Sequence, residues 1–393
     1  MKIMLLSHEL PPVGGGGGRA AWELAKRLAA REHDVTILTC SWQDLPARSV
    51  VEGVVVIRVT SARSRIDRST VPEMMDYVRG ALRQAPPAVE EQHPDIIHAF
   101  FALPAGLVAR RLGNRTGIPY VISLRGADVP SGQVKRFRWV YPFAVPVFRR
   151  VISDAAAVVA LSEGLRRQAL RHAPNASIEL IPNGVDRSLF HPDEDSPGES
   201  ESDAAAGSGR RLLYVGRLVA KKNVAALIEA LDAVRSTTNM DVALDVVGSG
   251  PEEADLRRAA ARPGLAGHVS FHGWRERSEL PTFYRSADAL VLPSLNEGMS
   301  NTVLEAMACG LPVIATDVSG TRELLGNGEA GIVVPAGDVD ALRDAVVDLL
   351  EDGAKRSKLA AAGLQRAGSL DLDAVAGQYE SLYAGVLSER GFS

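Results

Sequence analysis

Short, nearly continuous apolar runs rich in β-branched residues recur along the chain, each followed by a longer segment with helical spacing of apolar and polar positions. In the first half they are residues 2–7 (KIMLLS), 34–39 (DVTILT), 54–59 (VVVIRV), 95–100 (DIIHAF), 120–125 (YVISLR), 157–162 (AVVALS) and 178–183 (IELIPN). After a break the series restarts at 211–216 (RLLYVG), 242–248 (VALDVVG), 268–273 (HVSFHG), 289–294 (ALVLPS), 312–317 (PVIATD) and 331–336 (GIVVPA). Such alternation predicts parallel sheets with crossover helices, and two series predict an α/β protein of two Rossmann-like, doubly wound domains.

The break, 191–209 (HPDEDSPGESESDAAAGSG), is rich in Ser, Gly, Ala and acids and has no aliphatic residue larger than Ala. It is too polar to bury its own surface, so a disordered loop is expected there. The predicted domains are therefore 1–186 and 211–372, with 187–210 as linker. Beyond them, 373–387 (DAVAGQYESLYAGVL) places Val375, Tyr379, Leu382 and Leu387 near one helical face, which requires a surface to pack on. Ligands of open α/β sheets sit outside the carboxyl ends of the strands, so two facing domains would form a cleft lined by strand-to-helix loops.

Length and composition fit two cores: 393 residues, 46% apolar. Two distant cysteines, Cys40 and Cys309, form neither a disulfide framework nor a metal-ligand spacing, which suits a reducing, cytoplasmic setting. The apolar N-terminal run is too short for a secretory h-region, and no stretch reaches the length of a membrane span. The net charge of −4 hides an asymmetry: residues 1–186 carry 24 Lys+Arg against 17 Asp+Glu, and the remainder 20 against 31. Drift of surface composition and a basic half that meets an anionic partner are both open readings.

The loops then decide where chemistry is expected. After the first strand, Gly14 to Gly18 precede a helix starting near Arg19; close backbone approach and free helix amides suit an anion or a sugar, while a flexible surface loop is the bland alternative. The run is neither a dinucleotide fingerprint nor a P-loop. In LLYVGRLVAKKN, Arg217 and Lys222 flank the strand end after Gly216, where a guanidinium and an ammonium together meet a pyrophosphate; Lys221 is the neighbouring alternative and solvated charge the bland one. VVGSGPE puts Gly248 and Gly250 before a helix opened by Pro251, and Gly273-Trp274-Arg275 either borders a flat base or is structural. In NEGMSNTVLE, Ser300 or Asn301 is a natural N-cap, Glu305 falls near the first helical turn and Glu297 in the loop before it. Helix amides between two acids suit a phosphate flanked by vicinal hydroxyls, whereas a lone Glu305 would read as a capping residue.

EGMSNTVLEAMACGLPVIAT, an E-x7-E segment, resembles the retaining family 4 glycosyltransferases (glycosyl transferases group 1). PPVGGGG, IPNGVD, YVGRLVAKKN, VVGSGPE and the SFHGW-to-LPS region occur in the same order as in that family, so the resemblance covers nearly the whole chain. It implies a GT-B fold, two facing Rossmann-like domains with a C-terminal helix crossing back to the first. It further implies that Glu297 bonds the donor sugar, that Glu305 holds the ribose, and that Arg217 and Lys222 grip the diphosphate. Amides of Gly298, Met299, Ser300, Asn301 and Thr302 would meet sugar and phosphate, and Gly15, Gly16 and Gly17 would lie beneath the diphosphate or the acceptor. Gly216 and Gly248 complete the donor set. In one respect the chain departs from the family: LRGADVP carries Arg125 where many members have a donor-contacting His, followed by a matching Asp128. A permanent cation there suits a phosphate, an acidic sugar or Asp128 itself. His98 is either a cleft contact or a structural strand-end histidine.

The activity implied is retaining transfer from a UDP- or GDP-sugar to a hydroxyl of a glycan, a lipid-linked or a small-molecule acceptor, with no cofactor, no metal and no nucleic-acid partner. A nucleotide-sugar epimerase or hydrolase on the same scaffold is the alternative. Between Asp128 and Asp154 there is no acid, and Lys135, Arg136, Arg138, Arg149 and Arg150 alternate with Phe137, Trp139, Tyr141, Phe143 and Phe148. Residues 132–152 therefore either rest peripherally on an anionic inner membrane face or pack as an ordinary helix with snorkelling arginines.

Overall fold

A computed structural model describes residues 1–66, 69–130, 141–193 and 209–389. Much of the basic aromatic run, and most of the acidic linker, lie outside these residues.

The chain divides into two compact units, Met1–Asn183 with Leu372–Ser393, and Gly184–Asp371. In the first, the strands are β1 (Lys2–Leu6), β2 (Asp34–Cys40), β3 (Arg48–Val51), β4 (Val54–Val59), β5 (Ile96–Phe100), β6 (Tyr120–Leu124), β7 (Ala157–Ala160) and β8 (Glu179–Leu180). They form one sheet in the order β3-β4-β2-β1-β5-β6-β7-β8, parallel except for the β3–β4 pair. Its helices are α1 (Gly16–Ala30), α2 (Val71–Gln92), α3 (Ala105–Thr116), α4 (Tyr141–Ser153) and α5 (Glu163–Leu170). The second unit holds β9 (Arg210–Val215), β10 (Val242–Val247), β11 (Val269–Gly273), β12 (Ala289–Leu292), β13 (Val313–Thr316) and β14 (Ile332–Val334), all parallel in the order β11-β10-β9-β12-β13-β14. Around it run α6 (Val224–Thr237), α7 (Glu253–Ala260), α8 (Leu280–Arg285), α9 (Asn301–Ala308), α10 (Thr321–Leu324), α11 (Val339–Glu351) and α12 (Gly353–Gly368). The chain then returns to the first unit as α13 (Leu372–Ser388).

The central strands read as unbroken apolar runs because helices cover both faces of each sheet: Met4, Leu5 and Leu6 in one unit, Leu290 and Val291 in the other, are fully buried. The sequence pattern did not predict β3, a four-residue edge strand whose Val50 faces solvent. The second unit begins earlier than residue 211: Val185 bridges to Asp371, and Phe190 is wholly buried in its core.

Helix α13 docks on α1 through an apolar stripe of Val375, Tyr379, Leu382, Tyr383 and Val386, while Leu387 sits at its margin. Arg31 (2.8 Å) and His33 (2.6 Å) both bond the Glu380 carboxylate at the rim of that contact. The donors lower the Glu380 pKa against the opposing effect of partial burial.

Candidate functional site

In each sheet the strand order reverses beside the first strand of its series, between β1 and β5 and between β9 and β12. Loops leaving two such strands part in opposite directions and open a crevice at the carboxyl ends. Gly15 to Gly17, Gly216, Arg217, Lys222 and the Glu297-to-Glu305 segment follow β1, β9 and β12, whereas His98 lies within β5, Arg125 and Asp128 follow β6, and Gly248 follows β10.

In the second unit, β9 runs through Gly216 and Arg217 into a single 3₁₀ turn, Ala220–Lys222, ahead of α6. From β12 the chain passes Ser294 and Glu297 to α9. The two loops meet: the Lys222 ammonium pairs with Glu297 Oε1, to which the Ser294 hydroxyl also donates at 2.9 Å. Leu295 N–H donates to the Lys221 carbonyl at 2.8 Å. Both members of the ion pair are nearly buried, with side-chain exposures of 12% and 11%. Arg217 and Lys221 are exposed beside them, and partial desolvation of its ammonium, with Lys222 and Arg217 adding like charge, lowers the Lys221 pKa against the opposing effect of Glu297. Three cations and one carboxylate therefore stand at one switch point.

Helix α9 starts at Asn301, so Glu305 is its fifth residue and lies beyond the first turn. Ser300 occupies the N-cap position without a side-chain capping bond, contrary to expectation, and the capping reading of Glu305 falls with its position. The Glu305 carboxylate is buried; Tyr284 Oη donates to Oε2 at 2.9 Å and Arg277 Nε lies 3.7 Å from Oε1. Burial and the adjacent carboxylate hold the Tyr284 pKa well up. Gly298 and Met299 form the half-buried approach to α9, and Thr302, also half-buried, lies in its first turn.

A Cβ on Gly248 would stand 1.9 Å from the Gly216 carbonyl oxygen, so its missing side chain and its φ of 134° let the loops after β9 and β10 touch each other. Trp274 is 68% exposed, which removes the core-packing reading.

In the first unit, α1 opens at Gly16 with Gly15 as its N-cap. A Cβ on Gly15 would meet nothing within 4 Å, but one on Gly17 would lie 2.2 Å from Phe101 Cζ. Gly15 thus faces open space, whereas Gly17 is a packing position between α1 and the loop after β5. Phe101 itself holds φ 77° and meets His8 edge-on at 4.8 Å.

His98 and Asp128 are not available to a sugar. His98 is fully buried, its Nδ1 2.6 Å from Tyr383 Oη and its Nε2 2.8 Å from Ser123 Oγ, and burial pushes its pKa down to about 3. Asp128 is buried and spends its oxygens on the Ala102 (2.6 Å) and Arg125 (2.9 Å) backbone amides, pinning the β5 and β6 loops together. Arg125 itself is half-buried over the Phe100 ring at 4.6 Å. Sequence reading missed Tyr284 and Arg277 as partners of Glu305, since both lie more than 20 positions earlier in a mixed polar and apolar segment that gives no signal of the pairing. Among the described residues, no group of three or more His, Cys, Asp or Glu is arranged to hold a metal, and no helix is long and apolar enough to cross a membrane.

Two Rossmann-like doubly wound sheets, one with a charged joint at its switch point, define the class of protein: two-domain α/β enzymes. Residues 15–184 match the glycosyl transferase 4-like domain and residues 209–352 the glycosyl transferases group 1. Over 92% of both chains the sequence is 30% identical to a GDP-mannose-dependent alpha-(1-6)-phosphatidylinositol monomannoside mannosyltransferase of Mycolicibacterium smegmatis. It is 31% identical to a D-inositol 3-phosphate glycosyltransferase of Nocardiopsis dassonvillei, over 92% of this chain and 87% of that one. Among solved structures, a sucrose-phosphate synthase from Thermosynechococcus elongatus superposes with a TM-score of 0.83 at 24% identity, over 98% and 99% of the two chains. The chain belongs to the group 1, family 4 glycosyltransferases and has their GT-B fold. It is a hexosyl-type glycosyltransferase that uses a nucleotide sugar.

Proposed function

We propose that the chain transfers a hexosyl group from a nucleoside-diphosphate sugar, GDP-mannose in the first instance, to a hydroxyl of a phosphorylated polyol, with retention and without a metal. The observation that carries this is the Lys222–Glu297 pair between the β9 and β12 loops, with Arg217 and Lys221 exposed alongside. When the C1–O bond to the diphosphate breaks, negative charge grows on the departing phosphate, and Arg217, Lys221 and Lys222 counter it. The acceptor oxygen bonds C1 on the same face, and its proton passes to the departing phosphate oxygen. Both bonds made by Glu297 fall on Oε1, and Oε2 is the oxygen assigned to hydroxyls of the donor sugar. Glu305 would take the ribose hydroxyls. Glu297 is not assigned as a nucleophile of the two-carboxylate kind, because its ammonium and hydroxyl partners suit an orienting carboxylate.

Two features support an anionic acceptor: the net positive balance of residues 1–186, and the names of the two relatives, whose acceptors carry an inositol phosphate. A lipid-linked form is supported by α4, which carries Phe143, 78% exposed, and two turns later the exposed Arg149 and Arg150. The rest of the basic aromatic run, Lys135 to Trp139, lies outside the described residues. The chain is incubated with GDP-mannose and inositol phosphate in the presence of EDTA, and the anomeric configuration of the product is read by NMR. Inversion would remove the mechanism, loss of turnover on adding EDTA the metal independence, and epimerised or hydrolysed donor without acceptor would favour the rival activities. Sedimentation with anionic vesicles tests the peripheral membrane contact.

A further inference from the structure

We infer that Tyr284 and Arg277 are positioning residues that hold the Glu305 carboxylate for the ribose of the donor, an inference that rests on the ribose-binding reading of Glu305. The carboxylate is gripped from two sides by residues from two segments. Tyr284, on α8, donates its hydroxyl to Oε2 at 2.9 Å, and Arg277, in the 3₁₀ turn Arg277–Glu279, brings Nε to 3.7 Å from Oε1. Phe190 braces both: the Arg277 guanidinium lies over its ring at 5.0 Å, and the Tyr284 ring meets it edge-on at 5.9 Å. Phe190 and Tyr284 are fully buried, and the Arg277 and Glu305 side chains are 16% and 9% exposed, so the group is set by packing.

The chemistry of the pair explains why these types occur there. A carboxylate that accepts from a diol needs to be ionised and fixed in one rotamer before the ligand arrives, since ordering it on binding would cost affinity. A phenol donates one hydrogen bond to it without neutralising it, and a guanidinium nearby favours its charged form. The bracing ring then fixes both the hydroxyl donor and the neighbouring guanidinium charge.

Binding of GDP and UDP, and of their 2′,3′-dideoxy analogues, is measured calorimetrically for the full chain and for Tyr284→Phe, Arg277→Gln, Arg277→Lys and Glu305→Gln. Losing a hydrogen bond to a charged group weakens binding by about tenfold. Tyr284→Phe is therefore expected to weaken whichever natural nucleotide binds wild type more tightly by about tenfold, and Arg277→Gln, which removes a neighbouring charge rather than a hydrogen bond, by about threefold, with the dideoxy analogue weakened by less than about twofold in either. Arg277→Lys, which keeps the charge, should recover part of the loss. A general packing defect would weaken both nucleotides alike, and that result, or unchanged binding of the natural nucleotide, overturns the inference. If Tyr284→Phe does not fold, the two Arg277 variants, altered at a partly exposed side chain, carry the test. Selective loss in Glu305→Gln without loss in the others sinks this inference alone, whereas unchanged binding in Glu305→Gln sinks the reading of Glu305 beneath it.

Discussion

Replacing Lys222 by Met removes the ammonium from a carboxylate that is only 11% exposed and leaves Ser294 donating to the same oxygen. Breaking a buried pair by deleting one partner costs about 3–5 kcal/mol. Both groups keep some contact with solvent and Glu297 retains the Ser294 bond, so about 2 kcal/mol is the expected loss for the unit Gly184–Asp371. For a domain of that length this lowers its transition by about 4–8 °C. Glu297→Gln alone leaves a buried ammonium facing an amide and loses a similar amount. The double variant, with no charge left to strand, should return to within about 1 kcal/mol of wild type, because a buried pair is worth little against a neutral replacement. Turnover should behave oppositely: down strongly in each single variant and not restored in the double, since both the phosphate counter-charge and the sugar contact are gone. The assay is urea or thermal unfolding beside product formation at saturating GDP-mannose. Additive stability losses would show that the two side chains do not interact as a pair, and wild-type turnover in the double variant would refute their place in the site.

The other expectations concern the first unit. Gly17→Ala drives a Cβ into Phe101 and should cost several degrees of melting temperature, while Gly15→Ala, opening on free space, should shift it by about 1 °C or less. Tyr383→Phe strands His98 Nδ1 in the core, and chemical denaturation should show a loss of about 1–3 kcal/mol. His8 and His98 both have pKa values lowered to about 3, chiefly by burial, with Arg63 and Arg125 respectively adding to the effect. Because those lie below the ordinary value near ~6.5, the stability gained from keeping the rings neutral is fully present above that pH and is lost as pH falls towards 3. NMR of the ring carbons should find both neutral at pH 5, and a midpoint near ~6.5 for either would refute its burial.

The fold was legible where physics leaves a strong mark in a single segment. Strands covered on both faces must be apolar along their whole length, so β1, β5, β9 and β12 stand out from the sequence, and the loops that follow them inherit the candidate chemistry from topology alone. Edge strand β3 was not legible because none of its four residues is buried. Pairings made across the chain were equally hidden. His98 reads as a ligand or a core residue until Tyr383, 285 residues later, is seen to occupy one nitrogen. Asp128 reads as a counter-charge for the Arg125 side chain until the Ala102 and Arg125 backbone amides are seen to occupy its oxygens. Glu305 was found from its spacing to Glu297, but its two holders belong to segments 21 and 28 positions earlier, and no local pattern ties them to it.

The two switch points are built alike and furnished differently, and this difference bears on the division of labour. In the second unit the β9 and β12 loops are joined by opposite charges, Lys222 and Glu297, with further cations exposed beside them. A joint of that kind can exchange partners, since an ammonium with three donors can keep its carboxylate while meeting a phosphate. In the first unit the corresponding loops after β1 and β5 meet through Gly17 packed on Phe101, and Asp128 is consumed in fixing backbone. Contacts of shape do not exchange partners on ligand binding; they fix the outline of a surface. The exchangeable charged joint is the feature that the proposed diphosphate chemistry requires, and it lies in the second unit; the packed joint of the first unit holds a fixed surface instead.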